Sequence, residues 1–222
     1  HSVLAEGIDS YTFSPDEKLI LIANNNLVIY TNAGTDPYTN MGSWSPQLQA
    51  TLTSQIGEAN YDIGHLFGAT GGGGFAGCIG CVCVDGQKGS GYTSPANGVP
   101  MGDTFDIDYV AHELGHQMGA NHTFTHTTEN NTVNMEPGSG STIMAYSGLC
   151  SPDNVQNDAD AYFHLVSIRE MWSNISSGYS TCAAVSVTGN NAPTLIDIPN
   201  YTIPKSTPFI LNTTASDSNG DI

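Results

Sequence analysis

The sequence predicts an α/β fold, because segments with the pattern of strands are interspersed with segments with the pattern of helices. Two runs rich in strand-forming residues, 19–23 and 27–30, flank a triple asparagine and predict two strands around a turn. Mixed polar and apolar spacing predicts a helix over 47–56, and shorter strands are expected over 63–67 and 76–84. At 222 residues the chain is long enough to bury one good core.

Two further helices are predicted in the second half of the chain. After a loop rich in Gly, Ser, Pro and Asn, 86–102, either Asp103 or Asp106 can cap a helix that runs to about Met118. A final helix is expected over 158–177, with an apolar face that packs into the core rather than binding a ligand. That face comprises Tyr162, Leu165, Val166, Ile168, Met171 and Trp172.

The pattern HExxHxxGxxH begins at His112 and ends at His122. On a helix, His112 and His116 share one face and can hold one metal ion, while Glu113 can hold the water that the metal activates. Gly119 tolerates the positive φ of a sharp turn, which brings His122 back as a third ligand. Three nitrogens and one water form the open site of catalytic zinc. A bare HExxH could be two solvent-facing histidines, but the added glycine and third histidine argue against that alternative.

A methionine turn follows the histidine pattern, in the segment Ser-Thr-Ile-Met-Ala-Tyr-Ser at 141–147. With this turn the chain resembles the metzincin zinc endopeptidases, which combine the same zinc motif with a downstream Met-turn. The resemblance implies that Met144 lies beneath the three ligands as an apolar floor. The alternative for Met144 is an ordinary core methionine.

Within the metzincins the chain is similar to the reprolysin (adamalysin-like, ADAM-type) branch, in its bacterial secreted form. The similarity covers about residues 19–182. It implies a mixed twisted sheet, a zinc helix, a Met-turn, a C-terminal helix and one catalytic Zn²⁺. The segments that carry it are 61–67, the glycine run 71–74, 75–83 and 106–110.

Tyr146 departs from the reprolysin pattern, because it stands two residues after Met144. This spacing is more like the astacin and serralysin branches, where such a tyrosine contacts the metal or the oxyanion. The resemblance therefore makes Tyr146 a candidate catalytic residue. The alternative is a wall residue of the specificity pocket.

The resemblance also implies that the strand before the zinc helix forms the upper rim of the cleft. In metzincins this strand pairs with the substrate backbone, which is strand addition at a sheet edge. Ala76, Gly77, Cys78 and Ile79 are the candidates for this role. The alternative is an ordinary edge strand.

Charge limits the partners of this chain. Four Lys and Arg stand against 21 Asp and Glu, for a formal net charge of −17. Nucleic acids and anionic membranes need a basic face, and no apolar stretch has transmembrane length, so neither nucleic-acid binding nor membrane insertion is expected. We expect a protein or peptide substrate and a monomer. The chain begins at His1 without a leader, which we interpret as a processed or trimmed product.

Five cysteines are present, so at least one is unpaired within a monomer. Disulfides of an extracellular enzyme are the simpler interpretation, and a second metal site at Cys78, Cys81 and Cys83 would lack a fourth ligand. The resemblance implies a pair between Cys83 and Cys182. A pair between Cys150 and Cys182 is the rival.

Three regions are predicted: a catalytic domain over 1–185, a linker over 186–193 and a β-rich fragment over 194–222. The fragment resembles the start of an immunoglobulin-like or cadherin-like repeat, with too few strands for a sandwich. In a full repeat, alternate polar residues could bind Ca²⁺, although a solvated acidic turn is the simpler alternative. These residues are Asp217, Asn219 and Asp221. Reprolysin-like domains place a longer helix and a first strand before residue 19, so this element has either diverged in residues 1–18 or is missing.

The predicted function is a secreted, extracellular zinc metalloendopeptidase that hydrolyses peptide bonds through a zinc-activated water, with Glu113 as general base. One alternative is an adhesion or binding protein with an inactive protease-like domain, which the terminal fragment suggests. The intact ligand set and Glu113 argue against it. Another alternative is a zinc hydrolase with a non-peptide substrate.

Overall fold

A computed structural model of the protein describes residues 11–12, 20–21, 28, 30, 32, 34–127, 129 and 132–220. The chain divides into two compact units, His1–Ala183 and Ala184–Ile222. None of the helices in this described part has the length and apolar character needed to cross a membrane.

The strands of the first unit form two small sheets. Strands β1 (Tyr11–Thr12) and β2 (Ile20–Leu21) pair antiparallel. Strand β3 (His65–Phe67) pairs parallel with β5 (Gly91–Ser94), and β5 pairs antiparallel with β4 (Gly73–Phe75). The order of this mixed sheet is β3-β5-β4, so β4 is an edge strand.

The sequence predicted only some of these strands correctly. The strand expected over 63–67 is β3, and the described residues of 19–23 form β2. In 27–30 the prediction is wrong at the two described residues, because Val28 is helical and Tyr30 is irregular. The strand predicted over 76–84 is also wrong.

Backbone geometry explains why 76–84 is not a strand. Gly77, Gly80 and Cys83 have φ angles of 77°, 74° and 67°, which no extended strand can hold. A disulfide between Cys78 and Cys81 closes a tight loop across the same segment. The edge strand therefore ends at Phe75, and Ala76, Gly77, Cys78 and Ile79 follow it as bends and turns.

Three α-helices lie within the long described stretches, 34–127 and 132–220. Helix α1 (Met41–Gln55) begins earlier than the predicted 47–56 and buries Trp44 and Leu48. A π-helical stretch, Thr104–Ala111, runs directly into α2 (His112–Met118), as the helix predicted up to Met118 requires. Asp103 stands at the start of this stretch, but its side chain makes no capping hydrogen bond.

Helix α3 (Leu165–Ser177) is shorter than the predicted 158–177. Its first turn is capped by the His164 side chain, which accepts a hydrogen bond from the Val166 amide. The preceding amides are bound elsewhere: Ala159 N donates to Asp108 Oδ1 and Asp160 N to Ser141 O. Residues 158–164 are bends and irregular backbone, and the helix begins only after His164, whose ψ of 148° is extended.

The apolar face of α3 is only partly core, so that prediction is partly wrong. Val166 is buried, and Met171 packs against the core cluster. Leu165, Ile168 and Trp172 are 50–76% exposed. Only the side of α3 that carries Val166 and Met171 therefore contributes to the core.

The core beneath the zinc-motif helix is centred on Met144, which is fully buried. It clusters with Ala120 and Ile143, and four half-buried apolar residues pack around them. These are Ile107, Ala111, Phe163 and Met171. The predicted Met-turn segment thus joins α2, α3 and the π-helical stretch.

One buried carboxylate, that of Glu136, organises the turn that carries Met144. Its Oε1 accepts the amides of Ser141 and Thr142 at 3.0 and 3.1 Å, and its Oε2 accepts the hydroxyls of Thr142 and Thr123. Burial alone raises the pKa of Glu136, but these hydrogen bonds outweigh it and lower the pKa below its ordinary value. The ionised carboxylate therefore ties the segment at Thr123 to the Met-turn.

The disulfides settle most of the cysteine assignments. Cys83 pairs with Cys182, as the family resemblance implied, and Cys78 pairs with Cys81. Cys150 is buried and free, so its pairing with Cys182 is wrong. The second metal site at Cys78, Cys81 and Cys83 is wrong too, because disulfide sulfurs have no thiolate to offer a metal.

The second unit contains one strand pair. Strand β6 (Thr194–Leu195) pairs antiparallel with β7 (Ala215–Ser216), and nearly all described side chains in this unit are exposed. At the predicted calcium position, Asp217 Oδ1 accepts the amides of Asn219 and Gly220. Asp221 lies outside the described residues.

Replacing Glu136 should destabilise the first unit. We expect Glu136→Ala to lower the free energy of unfolding by about 3 kcal/mol or more, because each stranded buried donor costs about 1–3 kcal/mol. Glu136→Gln keeps one acceptor oxygen, so its free energy of unfolding should lie between those of the parent and Glu136→Ala. Urea unfolding at neutral pH measures both variants.

The same carboxylate gives the effect a pH dependence. Because the folded pKa of Glu136 is lowered, its stabilisation is present above the ordinary carboxyl pKa and is lost as the pH falls through the lowered value. The stability gap between the parent and Glu136→Gln should therefore narrow in acid. A gap that stays constant would show that charge is not what holds the turn.

Candidate active site

Helix α2 presents two histidines on one face, and the chain then reverses. Gly119 ends the helix with a φ of 119°, and its amide bonds back to the carbonyls of Gly115 and His116. This left-handed turn, predicted from the sequence, is readily available only to glycine. It returns His122 to the face that carries His112 and His116.

The three imidazoles converge through their Nε2 atoms. Nε2 of His122 lies 3.2 Å from that of His112 and 2.9 Å from that of His116, and all three lie within 4.8 Å of one another. Nitrogens bound to one zinc ion at about 2.0–2.1 Å in tetrahedral geometry are about 3.3 Å apart. The observed separations are close to that spacing.

Hydrogen bonds at the other ring nitrogen fix how each imidazole can act. His112 Nδ1 lies 2.7 Å from Ile143 O, and His116 Nδ1 lies 2.7 Å from Ala120 O. A carbonyl only accepts, so each Nδ1 carries the proton and each neutral ring offers a bare lone pair at Nε2. Lone pairs that face one another suit a shared cation, so these residues fit a zinc ion.

The pKa values of the three rings favour the same state. Burial, followed by the neighbouring His116 and His122, lowers the pKa of His112 to about 3. Burial and His116 lower that of His122 to about 3, and burial lowers that of His116. All three rings are neutral near pH 7, as metal ligands must be.

Glu113 lies buried beside the three histidines, with 8% of its surface exposed. Burial raises the pKa of its carboxyl to about 8, which makes the ionised form a stronger base than an exposed carboxylate. Edge strand β4 passes directly over it. A Cβ added at Gly74 would lie only 2.4 Å from Glu113 Cγ and Oε1, so a larger residue there would force the Glu113 side chain or the strand to shift.

Tyr146 borders the same centre. Its ring centroid lies 4.4 Å from that of His122 and 5.7 Å from that of His112, and it stacks on Phe124 at 4.5 Å. Burial, then the charges of Glu129 and Glu113, raise the pKa of Tyr146 to about 12. Its hydroxyl is therefore protonated at neutral pH and able to donate.

Met144 lies under the ligand helix. A Cβ added at Gly115 would lie 2.5 Å from Met144 Sδ, so the sulfur packs against the helix backbone between His112 and His116. The role of Met144 as an apolar floor, which the family resemblance implies, stays a prediction.

Two cavities meet at this centre, of about 340 and 510 Å³. Both are lined by Gly74, His112, Glu113 and Tyr146. The larger one also follows 75–79, so the four residues predicted to contact substrate do line the cleft, although not as a strand.

The cleft carries negative charge. Neither cavity has a lysine or arginine among its described lining residues. The acidic side chains that line them, besides the buried Glu113, are Asp108, Glu129 and Asp158. A field of this sign favours neutral or positively charged ligands over acidic ones.

Three residues that shape the site were not predicted as site residues. Gly74 belongs to the glycine run that carries the family resemblance, which is the one signal that could have marked it. Glu129 accepts a hydrogen bond from His122 Nδ1, and Glu136 holds the Met-turn. Both are acidic residues in a polar loop, and nothing in the local pattern distinguishes them from their neighbours.

We compared the chain with known protein families, curated proteins and solved structures. The model of the Metallo-peptidase family M12B Reprolysin-like matches residues 9–175, which include the three histidines, Glu113, Met144 and Tyr146. No match is found among curated proteins or among solved structures. The family match covers well over half of the chain. The chain therefore belongs to the reprolysin-like metallopeptidases of family M12B.

Proposed function

We propose that this protein is a secreted zinc-dependent endopeptidase that cuts peptide bonds within proteins. The observation that carries the proposal is the convergence of three Nε2 lone pairs beside a buried Glu113 in an open cleft. The family match supports a metallopeptidase. Two disulfides are typical of proteins from oxidising surroundings and support secretion, with a bacterial source suggested by sequence resemblance alone.

Each residue of the site has a role in this proposal. His112, His116 and His122 hold the metal. When bound, zinc supplies Lewis-acid polarisation of the scissile carbonyl and lowers the pKa of a water. Glu113 takes a proton from the attacking water and delivers it to the leaving amine.

Two further groups act on the substrate in this proposal. Tyr146 donates a hydrogen bond to the oxygen on which negative charge develops. Strand β4 has an unpaired edge in the described sheet, and we place backbone pairing with an extended substrate there. Ala76, Gly77, Cys78 and Ile79 then contact the substrate as a loop beyond the strand.

A binding protein with an inactive protease-like domain is the second candidate. The terminal unit favours it, and we propose that this unit is a fragment of an immunoglobulin-like or cadherin-like domain. The catalytic groups count against it, because a binding role gives no reason to retain a buried, proton-accepting Glu113 beside three converging histidines. The third candidate, a zinc hydrolase with a non-peptide substrate, would bind zinc but would not cleave proteins or peptides.

The first test is proteolysis by the zinc-loaded chain. We expect cleavage of casein and of a neutral or basic peptide, with loss of activity on chelation and return on zinc addition. Glu113→Gln should retain zinc but lose turnover by about 10²–10⁴-fold, because general-base catalysis is removed. Metal content and cleavage rate are measured on the same samples.

Two outcomes would contradict parts of this proposal. Near-parent cleavage by Glu113→Gln at matched zinc content would show that another group moves the proton. A zinc-loaded parent that cleaves no protein or peptide would favour the binding protein or the non-peptide hydrolase.

Gly74→Ala tests the contact between β4 and the base. The added Cβ would lie 2.4 Å from Glu113, so either the base or the strand must shift. A displacement near 1 Å at a reacting group can cost about 10²-fold in rate, and we expect a loss of that order with zinc content unchanged.

Gly42→Ala is the matched control for Gly74→Ala. Gly42 lies in α1, and its added Cβ would meet only Asn40 Oδ1 at an ordinary 3.4 Å. Activity should be unchanged, and the free energy of unfolding should stay level or rise by up to about 1 kcal/mol. Equal activity losses in both variants would contradict the assigned contact.

Tyr146→Phe tests the oxyanion role. If the hydroxyl acts only as charge develops, kcat should fall by about 10²-fold while KM stays nearly constant. Steady-state kinetics at matched zinc content measure both constants. An unchanged kcat, with altered side-chain preference in Tyr146→Ala, would instead make this residue a wall of the specificity pocket.

A further inference from the structure

The three metal-ligand candidates differ in what holds their second ring nitrogen. His112 and His116 bond to the backbone carbonyls of Ile143 and Ala120. His122 bonds instead to a side chain, because its Nδ1 lies 2.7 Å from Glu129 Oε2. The partner of His122 is thus the one of these three that a substitution can remove.

His122 also has the least support from secondary structure. His112 and His116 lie on helix α2 and are about 5–6% exposed. His122 follows the turn at Gly119 in an irregular segment, and its side chain is 15% exposed. A ring held this loosely by the backbone depends more on its side-chain contacts for orientation.

We propose that Glu129 is a positioning residue of the metal site, and this inference rests on the zinc site of the proposed function. Its carboxylate holds the His122 ring in the tautomer with the proton on Nδ1, so that Nε2 is directed at the metal. A carboxylate is a stronger acceptor than a carbonyl, and it makes the opposite nitrogen a better ligand.

Geometry separates this role from direct ligation. Glu129 Oε2 is bound at Nδ1 of His122, whereas the metal position is defined by Nε2 on the other side of the ring. Glu129 also does not belong to the cluster of ligand atoms that the three histidines form. It therefore acts on the metal through His122.

A second carboxylate–histidine pair in the same unit provides a matched control. Asp153 Oδ2 lies 2.9 Å from His126 Nδ1, and His126 is not one of the converging histidines. Asp153→Asn makes the same chemical change as Glu129→Gln, in a pair that does not touch a metal ligand.

The experiment measures the zinc dissociation constant of the full chain by competition with a chromophoric chelator. We expect Glu129→Ala to bind zinc about 10–100-fold more weakly, which is the usual cost of losing such an outer contact. Glu129→Gln keeps an acceptor oxygen without the charge and should lie between parent and Glu129→Ala. Asp153→Asn should bind like the parent.

Melting temperatures in excess chelator separate positioning from a general role in folding. Without metal, all variants should have melting temperatures close to that of the parent. Saturating zinc should raise the melting temperature of Glu129→Ala by less than it raises that of the parent. Parent-like zinc affinity in Glu129→Ala would overturn the inference. Equal losses of affinity in Asp153→Asn, or a lower melting temperature of Glu129→Ala already in chelator, would also overturn it in favour of a loop anchor.

These readouts do not depend on peptide cleavage. If the parent binds zinc but cleaves nothing, the endopeptidase proposal fails while the comparison of Glu129 variants still decides the role of this residue. If the parent cleaves peptides and Glu129→Ala binds zinc normally, only the inference about Glu129 fails.

Discussion

The convergence of three imidazole nitrogens is the constraint on which the candidate site depends. His122 Nε2 lies 3.2 Å from His112 Nε2 and 2.9 Å from His116 Nε2. The neutral rings of His112 and His116 carry their proton on Nδ1, which donates to a backbone carbonyl, so their Nε2 atoms have no proton to donate. Only the folded chain brings these three nitrogens together. A metal bound there, as the proposed function requires, would therefore stabilise the folded state.

Two buried glutamates show how the fold divides its charged groups between structure and chemistry. Glu136 has two amides and two hydroxyls around its oxygens, and its pKa is lowered. Glu113 has a raised pKa with burial as its cause, and Gly74 of the strand above it leaves no room for a Cβ beside the carboxyl. The first carboxylate is stabilised as an anion and holds the Met-turn, while the second is left able to take a proton.

The parts of the site predicted from sequence are those fixed by local geometry. The spacing of His112 and His116 on a helix, and the turn at Gly119, follow from backbone rules that act within a few residues. The prediction of a strand over 76–84 was wrong because the composition of this segment suits a strand, whereas its glycines and a disulfide force turns. The hydrogen bond from His122 to Glu129 and those around Glu136 could not be predicted, because loop conformation brings these groups together.

Charge adds a constraint that no single contact reveals. The chain has four Lys and Arg against 21 Asp and Glu, and one of the four, Lys18, lies outside the described residues. Lys88 is buried and bonded to Asp85, and Arg169 lies on α3. None of the three described basic residues, Lys88, Arg169 and Lys205, lines the cavities beside the histidines.

The negative field of the cleft attracts both a divalent cation and the positive side chains of a substrate. Because exposed charges are screened over about 8–10 Å at physiological salt, the acidic residues that line the cleft matter more than the net charge of −17. In the proposed endopeptidase, the carboxylates that favour zinc at the histidines also bias which peptides approach Glu113. The proposed function therefore couples metal affinity and substrate preference through one set of carboxylates.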